Sequence, residues 1–315
     1  MDAYDCVIVG GGPAGLSAAL ILGRARRRVL VCDAGTPRNA ASHAMHGYLS
    51  RDGIAPGEFL RIAREQLAPY ANVACREVEV VDAEADGSAE GGFTVRLADG
   101  VDVRGRTLLL CTGVVDEIPT IDGIDRHYGV SVHHCPYCDG WEHRDARIAV
   151  YGCGEGAYKY ALGMRQWSTD LVLCTDGFHR LEPEAIADLE RAGIGLRTDR
   201  VVRLEGSERL ERIVFDCGEP LACDALFFCT SQRQRSGLAA KLGARFNPKG
   251  AVRTGKAEHT DVRNLWVAGD ASQDAQLVIV AAAEGAEAAV AINTELARED
   301  LQALRGAGAV SGSRG

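Results

Sequence analysis

Apolar residues along the chain fall into short runs set off by glycine. The opening "YDCVIVGGGPAGLSAALILGRARRRVLVCDAG" passes from an apolar strand through a glycine turn into a helix rich in alanine and leucine, then into a strand ending at Asp33. That order predicts a βαβ unit. A second copy starts at residue 148 in "IAVYGCGEGAYKYALGMRQWSTDLVLCTDG" and ends its strand at Asp176. Between the copies, "FTVRLADGVDV" predicts a hairpin turning at Asp99 and Gly100, and "TLLLCTG" a buried strand. "LERIVFDCGEPLACDALFFCT" predicts hairpin and strand again, and "AQLVIVAAAEGAEAAVAINTELARED" a long helix. Two such units in one chain point to an α/β protein of two Rossmann-like three-layer domains that arose by duplication.

A chain of 315 residues is long enough for about two domains. A net charge of -9 and a pI near 5.4, with no basic run longer than "RARRR" at 24–28, argue against a nucleic-acid partner. Glycines and a proline break the apolar start, so a buried strand and helix are expected there rather than a signal peptide, and no stretch reaches the roughly 20 apolar residues of a membrane span. A soluble, cytoplasmic protein is expected. The tail 306–315 is poor in apolar residues and is expected to be disordered.

In the first copy Gly10 allows the tight turn, Gly12 lets the backbone approach a pyrophosphate, and Gly15 lets helix and strand pack closely. Asp33 stands where an acid accepts hydrogen bonds from a ribose. In the second copy Gly152 and Gly154 fill two glycine positions, Ala157 the third, and Asp176 the acid; Glu155 and Tyr158 are expected close to the pyrophosphate.

Eleven cysteines are scattered, and Cys6, Cys32, Cys111, Cys174 and Cys229 read as small buried thiols in strands. Only Cys135 and Cys138, in "VHHCPYCDGWEHRD", have a spacing with chemical meaning. Zinc would need four ligands, and adjacent His133 and His134 can hardly both face one ion, so no metal is expected. A redox pair needs one sulfur to attack and one to resolve, which this spacing permits.

Four elements in order, "GGGPAG" at 10–15, "CTG" at 111–113 followed by Pro119, "CPYCDG" at 135–140 and "VAGD" at 267–270, resemble the thioredoxin reductase family of flavoprotein disulfide oxidoreductases over about residues 4–300. The resemblance implies an FAD domain of residues 1–115 and 236–305, with an NAD(P)-type domain, 116–235, inserted and carrying the CxxC. Hinges would lie in Thr112–Ile118 and Thr230–Ser236. FAD contacts are implied at Gly10, Gly12, Pro13, Ala14, Gly15, Asp33, Thr112, Gly113, Gly269, Asp270 and Gln276. Cys138 would meet the flavin, Cys135 the substrate, and Asp139 would move the proton of the exchanging thiol, with His133 or His134 favouring the thiolate. A homodimer is implied as well. His43 and His46 lie where a loop of that domain passes near flavin, and read equally as solvated histidines.

The chain departs from the family at "CTDGFHRLEPE", where arginines of an "HRR" string hold the 2′-phosphate of NADPH. Asp176 favours the free ribose of NADH over NADPH at Gly152 and Gly154. The expected activity is FAD-dependent electron transfer between flavin and a substrate dithiol or disulfide, in a thioredoxin-like protein or a small molecule. Two alternatives are an oxygen-using dithiol oxidase, suggested by the loop "PRNAASHAMHGYLSRDG", and a partner-fed (ferredoxin-type) flavoprotein or redox sensor without nicotinamide turnover.

Overall fold

The computed structural model describes residues 2–87, 91–177, 181–229, 231–272 and 275–311, with side chains through 305. The chain forms two compact units: Met1–Ala40, Gly57–Val115 and Arg233–Gly315 make the first, Ala41–Pro56 and Asp116–Gln232 the second.

The first unit opens as β1 (Asp2–Val9), α1 (Pro13–Arg24), β2 (Val29–Asp33), α2 (Pro56–Glu65), β3 (Val73–Glu77), β4 (Val80–Ala85), β5 (Phe93–Leu97) and β6 (Asp102–Leu110). β3, β2, β1 and β6 lie side by side and parallel. Cys6–Val9 of β1 are buried, as a strand covered on both faces requires. The hairpin turning at Asp99 and Gly100 is present, β5 pairing antiparallel with the first half of β6. The short strand β7 (Val114–Asp116) leads out.

The second unit follows as α3 (Ile124–His127), β8 (Val132–His133), α4 (Pro136–Asp139), β9 (Ile148–Tyr151), α5 (Gly154–Met164), β10 (Leu171–Cys174), α6 (Pro183–Arg191), β11 (Gly195–Arg197), β12 (Val201–Glu205), β13 (Arg212–Phe215), β14 (Leu221–Ala222) and β15 (Ala225–Phe228). Its parallel sheet runs β11-β10-β9-β15-β8, and β12-β13-β14 form a small antiparallel sheet. β8 is an edge strand of the parallel sheet, so the cysteine helix α4 starts where the sheet stops. β16 (Gln232–Gln234) pairs with β7. Thr230, the first residue of one expected hinge, lies outside the described residues.

The chain then returns to the first unit through α7 (Leu238–Lys241), β17 (Leu265–Val267) and α8 (Val278–Ser311). β17 pairs parallel with Leu108–Leu110, the half of β6 that β5 leaves open. α8 packs against α1 so closely that a Cβ on Gly285 would stand 2.0 Å from the Ala14 carbonyl oxygen.

Three expectations change. Residues 41–56 belong to the second unit: an added Cβ on Gly129 would meet the Ala41 carbonyl oxygen at 2.2 Å, and His46 Nε2 lies 3.5 Å from Glu142. The helix α8 runs on to Ser311, past residue 305 where the ordered chain was expected to end. Cys111 and Cys229 are half-buried, because both stand where a strand ends and the chain leaves the core; Cys6, Cys32 and Cys174 are buried. Burial pushes these three thiols up to about 12, 11 and 12, so they act as small hydrophobes. Among the described residues no helix is long and apolar enough to cross a membrane.

Candidate functional site

In the second unit Cys135 and Cys138 form a disulfide with Cα atoms 5.3 Å apart. Pro136 opens α4, where a missing N–H costs nothing, and the Cys135 carbonyl accepts from the Cys138 and Asp139 N–H groups at 3.2 and 3.1 Å. The two neighbouring imidazoles part: His133 Nδ1 lies 3.3 Å from Asp139 Oδ1, whereas His134 Nε2 lies 3.7 Å from Asp116 and its ring stacks on Tyr128. Among the described residues no cluster of three or more metal-binding side chains is present. His143 was not singled out in the sequence, where "WEHRD" carries no motif; its Nε2 lies 3.0 Å from His133 Nε2. Tyr137 and Trp141 beside the disulfide are exposed. His43 is exposed, and His46 sits between Asp52 and Glu142 at 3.4 and 3.5 Å.

The glycine loop of this unit has the expected backbone. Gly152 is enclosed, an added Cβ meeting Ala157 Cβ and the Cys229 carbonyl oxygen at 3.1 Å, and Gly154 at φ 72° faces open space. Its acid is engaged: Asp176 accepts from the Tyr151 hydroxyl at 2.7 Å and the Val201 N–H at 2.8 Å. Tyr158 donates to Asp188 on α6 at 2.5 Å, and the exposed Glu155 pairs with Lys159 one turn on, so each is held by its own protein partner. Phe178, His179 and Arg180, where the 2′-phosphate arginines would stand, lie outside the described residues.

In the first unit Gly10, at φ 110°, lies so near β6 that a Cβ would stand 2.2 Å from the Cys111 carbonyl oxygen, and a Cβ on Gly15 would meet the Gly10 oxygen at 1.9 Å. Nothing lies within 4 Å of the corresponding point on Gly12, and α1 begins at Pro13 with no side-chain cap. An open glycine beside uncapped N–H groups fits a pyrophosphate. Asp33 lies against Gly11, accepting from Arg64 at 2.6 Å and the Gly35 N–H at 3.1 Å. Thr112 and Gly113 join β6 to β7, and the Gly113 carbonyl accepts from the Arg235 N–H at 3.2 Å. Arg38, not anticipated, draws two predicted residues together by donating to Asp270 at 2.8 Å and to Gln276 at 2.7 Å. A carboxylate offers about four lone-pair sites, so both acids keep acceptor capacity for a dinucleotide's hydroxyls.

Gly269, at φ 85°, donates its N–H to Glu284 at 2.7 Å. Burial pushes the Glu284 carboxyl up to about 7; Glu258, Asp270 and Glu287 add to the rise and the Gly269 bond opposes it. The folded state thus holds this proton more tightly than the unfolded chain. The stability it confers is complete below the ordinary carboxylate range and is lost as pH rises through about 7. Glu284→Gln is expected to remove about 2 kcal/mol of pH dependence between pH 5 and 8. Urea unfolding of both proteins at the two pH values checks this, and parallel curves would refute it.

A redox disulfide on one dinucleotide-type fold, joined to a second such fold with an open glycine loop, defines a two-domain disulfide oxidoreductase. The chain belongs to the pyridine nucleotide-disulphide oxidoreductase family, which it matches over residues 4–285. It is 34% identical to thioredoxin reductase tcpT of Claviceps purpurea over 84% of this chain and 86% of that protein. Among solved structures it resembles HlmI with TM-score 0.95 and 35% identity, covering 99% of this chain and 98% of that one. An oxidoreductase from Agrobacterium tumefaciens aligns with TM-score 0.86 and 33% identity over 94% and 99%. The protein is an enzyme of the oxidoreductase class, a thioredoxin reductase-like FAD-dependent disulfide oxidoreductase.

Proposed function

We propose that electrons pass between FAD held at Gly10, Gly12, Pro13, Ala14, Gly15, Asp33, Thr112, Gly113, Gly269, Asp270 and Gln276 and a substrate dithiol or disulfide, through Cys135 and Cys138. The observation that carries the reading is the Cys135–Cys138 disulfide on α4, with Asp139 against the buried His133. Bound flavin supplies the two-electron chemistry. The chain's own residues do the rest. Cys135 takes the substrate sulfur, Cys138 exchanges with the flavin, and Asp139 carries the proton of the exchanging thiol. A thioredoxin-like protein is the favoured substrate, since tcpT bears the name thioredoxin reductase. A cytoplasmic homodimer belongs to the same reading.

A nicotinamide, NADH ahead of NADPH, would sit at Gly152, Gly154 and Asp176. A second reading is a dithiol oxidase acting on a small molecule, with oxygen as electron acceptor, in which Gly152, Gly154 and Asp176 hold no nicotinamide; Asp176 already accepts from Tyr151 and Val201. Anaerobic addition of NADPH, then NADH, then dithiothreitol, followed by flavin absorbance, decides between them. Bleaching by a nicotinamide at catalytic rates is expected of the reductase. Bleaching by dithiothreitol alone, with colour returning in air, would establish the oxidase.

A further inference from the structure

We propose that His133 and His143 form a proton wire joining Asp139, beside the redox cysteines, to solvent at Arg209. The proposal rests on the reading of Asp139 as the acid–base partner of the exchanging sulfurs. Four groups stand in a row. Asp139 Oδ1 is 3.3 Å from His133 Nδ1, His133 Nε2 is 3.0 Å from His143 Nε2, and His143 Nδ1 is 3.5 Å from an Arg209 guanidinium nitrogen. Both rings are buried, 5% and 4% exposed, against Phe227, while Arg209 is exposed. The row therefore leads from the cysteine helix through the protein interior to the surface.

The direction of each hydrogen bond follows from the last. A guanidinium has only donors, so His143 Nδ1 accepts. Burial first, then His133 and Arg209, push the His143 ring down to about 4, with Asp139 and Asp224 opposing only in part. The ring is neutral near pH 7 and carries its one proton on Nε2. That proton is donated to His133 Nε2, which leaves the His133 proton on Nδ1, pointing at Asp139. In the disulfide state the wire is thus set to load Asp139.

In one passage a solvent proton bonds to His143 Nδ1 as Arg209 swings aside. The Nε2 proton of His143 moves to His133 Nε2, and the Nδ1 proton of His133 moves to Asp139. An attacking substrate thiolate forms an S–S bond to Cys135 as the Cys135–Cys138 bond breaks, its electron pair staying on Cys138. The proton delivered through Asp139 neutralises that sulfur. The substrate sulfur is now in a mixed disulfide with Cys135, Cys138 is a thiol, and one proton has crossed from solvent. A second substrate thiolate, attacking the substrate's own sulfur of that mixed disulfide, completes the substrate's oxidation and leaves Cys135 as a thiolate. Both rings end in the opposite tautomer, ready to carry a proton outward when the cysteines are reoxidised.

Two measurements on the full-length flavoprotein test the wire. In 15N-histidine NMR spectra, with the two rings assigned by the signals lost in His143→Phe and in His133→Phe, His143 is expected protonated at Nε2 and His133 at Nδ1; an Nε2 proton on both would overturn the proposal. Cleavage of Cys135–Cys138 by dithiothreitol, trapped by rapid alkylation in H2O–D2O mixtures, is expected to show a bowed multi-proton isotope dependence. In His143→Phe the rate should fall about tenfold and the dependence become linear. If Phe fails to fold, His143→Gln, whose amide hydrogen-bonds but does not relay, carries the same expectation. Asp139→Asn slowed with the His143 variants unchanged would overturn the wire and leave the acid–base reading standing. Asp139→Asn as fast as the wild type would remove that reading and the wire together.

Discussion

Replacing Cys138 by serine is expected to lower disulfide exchange by roughly 10⁴-fold or more while the protein keeps its fold and its yellow colour. Serine is nearly the size of cysteine, and the backbone bond from the residue 138 N–H to the Cys135 carbonyl is untouched, so α4 persists. What is lost is the sulfur that holds the electron pair when the disulfide opens. A hydroxyl at that place neither forms nor breaks an S–S bond. Stopped-flow mixing with dithiothreitol and a flavin absorbance scan check the two halves separately. If flavin is lost with activity, Cys138 is a structural residue and the redox assignment fails.

Gly285→Ala is expected to destabilise the protein by about 3 kcal/mol, the upper part of the range for overpacking. Helix propensity alone predicts the opposite, since alanine is favoured over glycine mid-helix by roughly 1 kcal/mol. The steric term wins because the new Cβ would stand 2.0 Å from the Ala14 carbonyl oxygen and 2.7 Å from its carbon. Both atoms are backbone and cannot turn aside as a side chain can. α1 and α8 would have to separate, exposing Ala18, Ala288, Ala289 and Ile292, which are buried. Ala14 also belongs to the glycine loop, so flavin retention should fall with stability. Urea unfolding of the holoprotein measures the change; a neutral or stabilised variant would mean the helices part at little cost.

The sequence carried the features that depend on neighbours along the chain. The two βαβ units, the hairpin at Asp99–Gly100, the glycine turn at Gly10–Gly15 and the CxxC are each written within a window of a few to thirty residues. Their signals are glycine where no Cβ fits, proline where a helix starts, and apolar runs where a strand is covered on both faces. Arg38, His143 and Arg209 gave no such signal. Their partners are Asp270, His133 and, for Arg209, His143 itself. In two of these pairs the residues stand 232 and 66 positions apart in the chain, and an isolated arginine or histidine reads as a solvated charge.

The tertiary structure also decided where the segment 41–56 belongs and what Asp176 holds. The segment has no periodic apolar face of its own, so its place is set by what it touches: Gly129 leaves room for the Ala41 carbonyl, and His46 meets Glu142. Asp176 sits where a ribose-binding acid is expected, and each of its carboxylate oxygens already accepts one bond, from Tyr151 and from Val201. The sequence by itself determined the fold class, the family and the redox pair, because backbone sterics and local spacing are written residue by residue. Only the tertiary structure decided which groups face Asp139, Asp176 and Asp270, because those partners meet through packing of distant segments, each contact weak alone and set by the whole core.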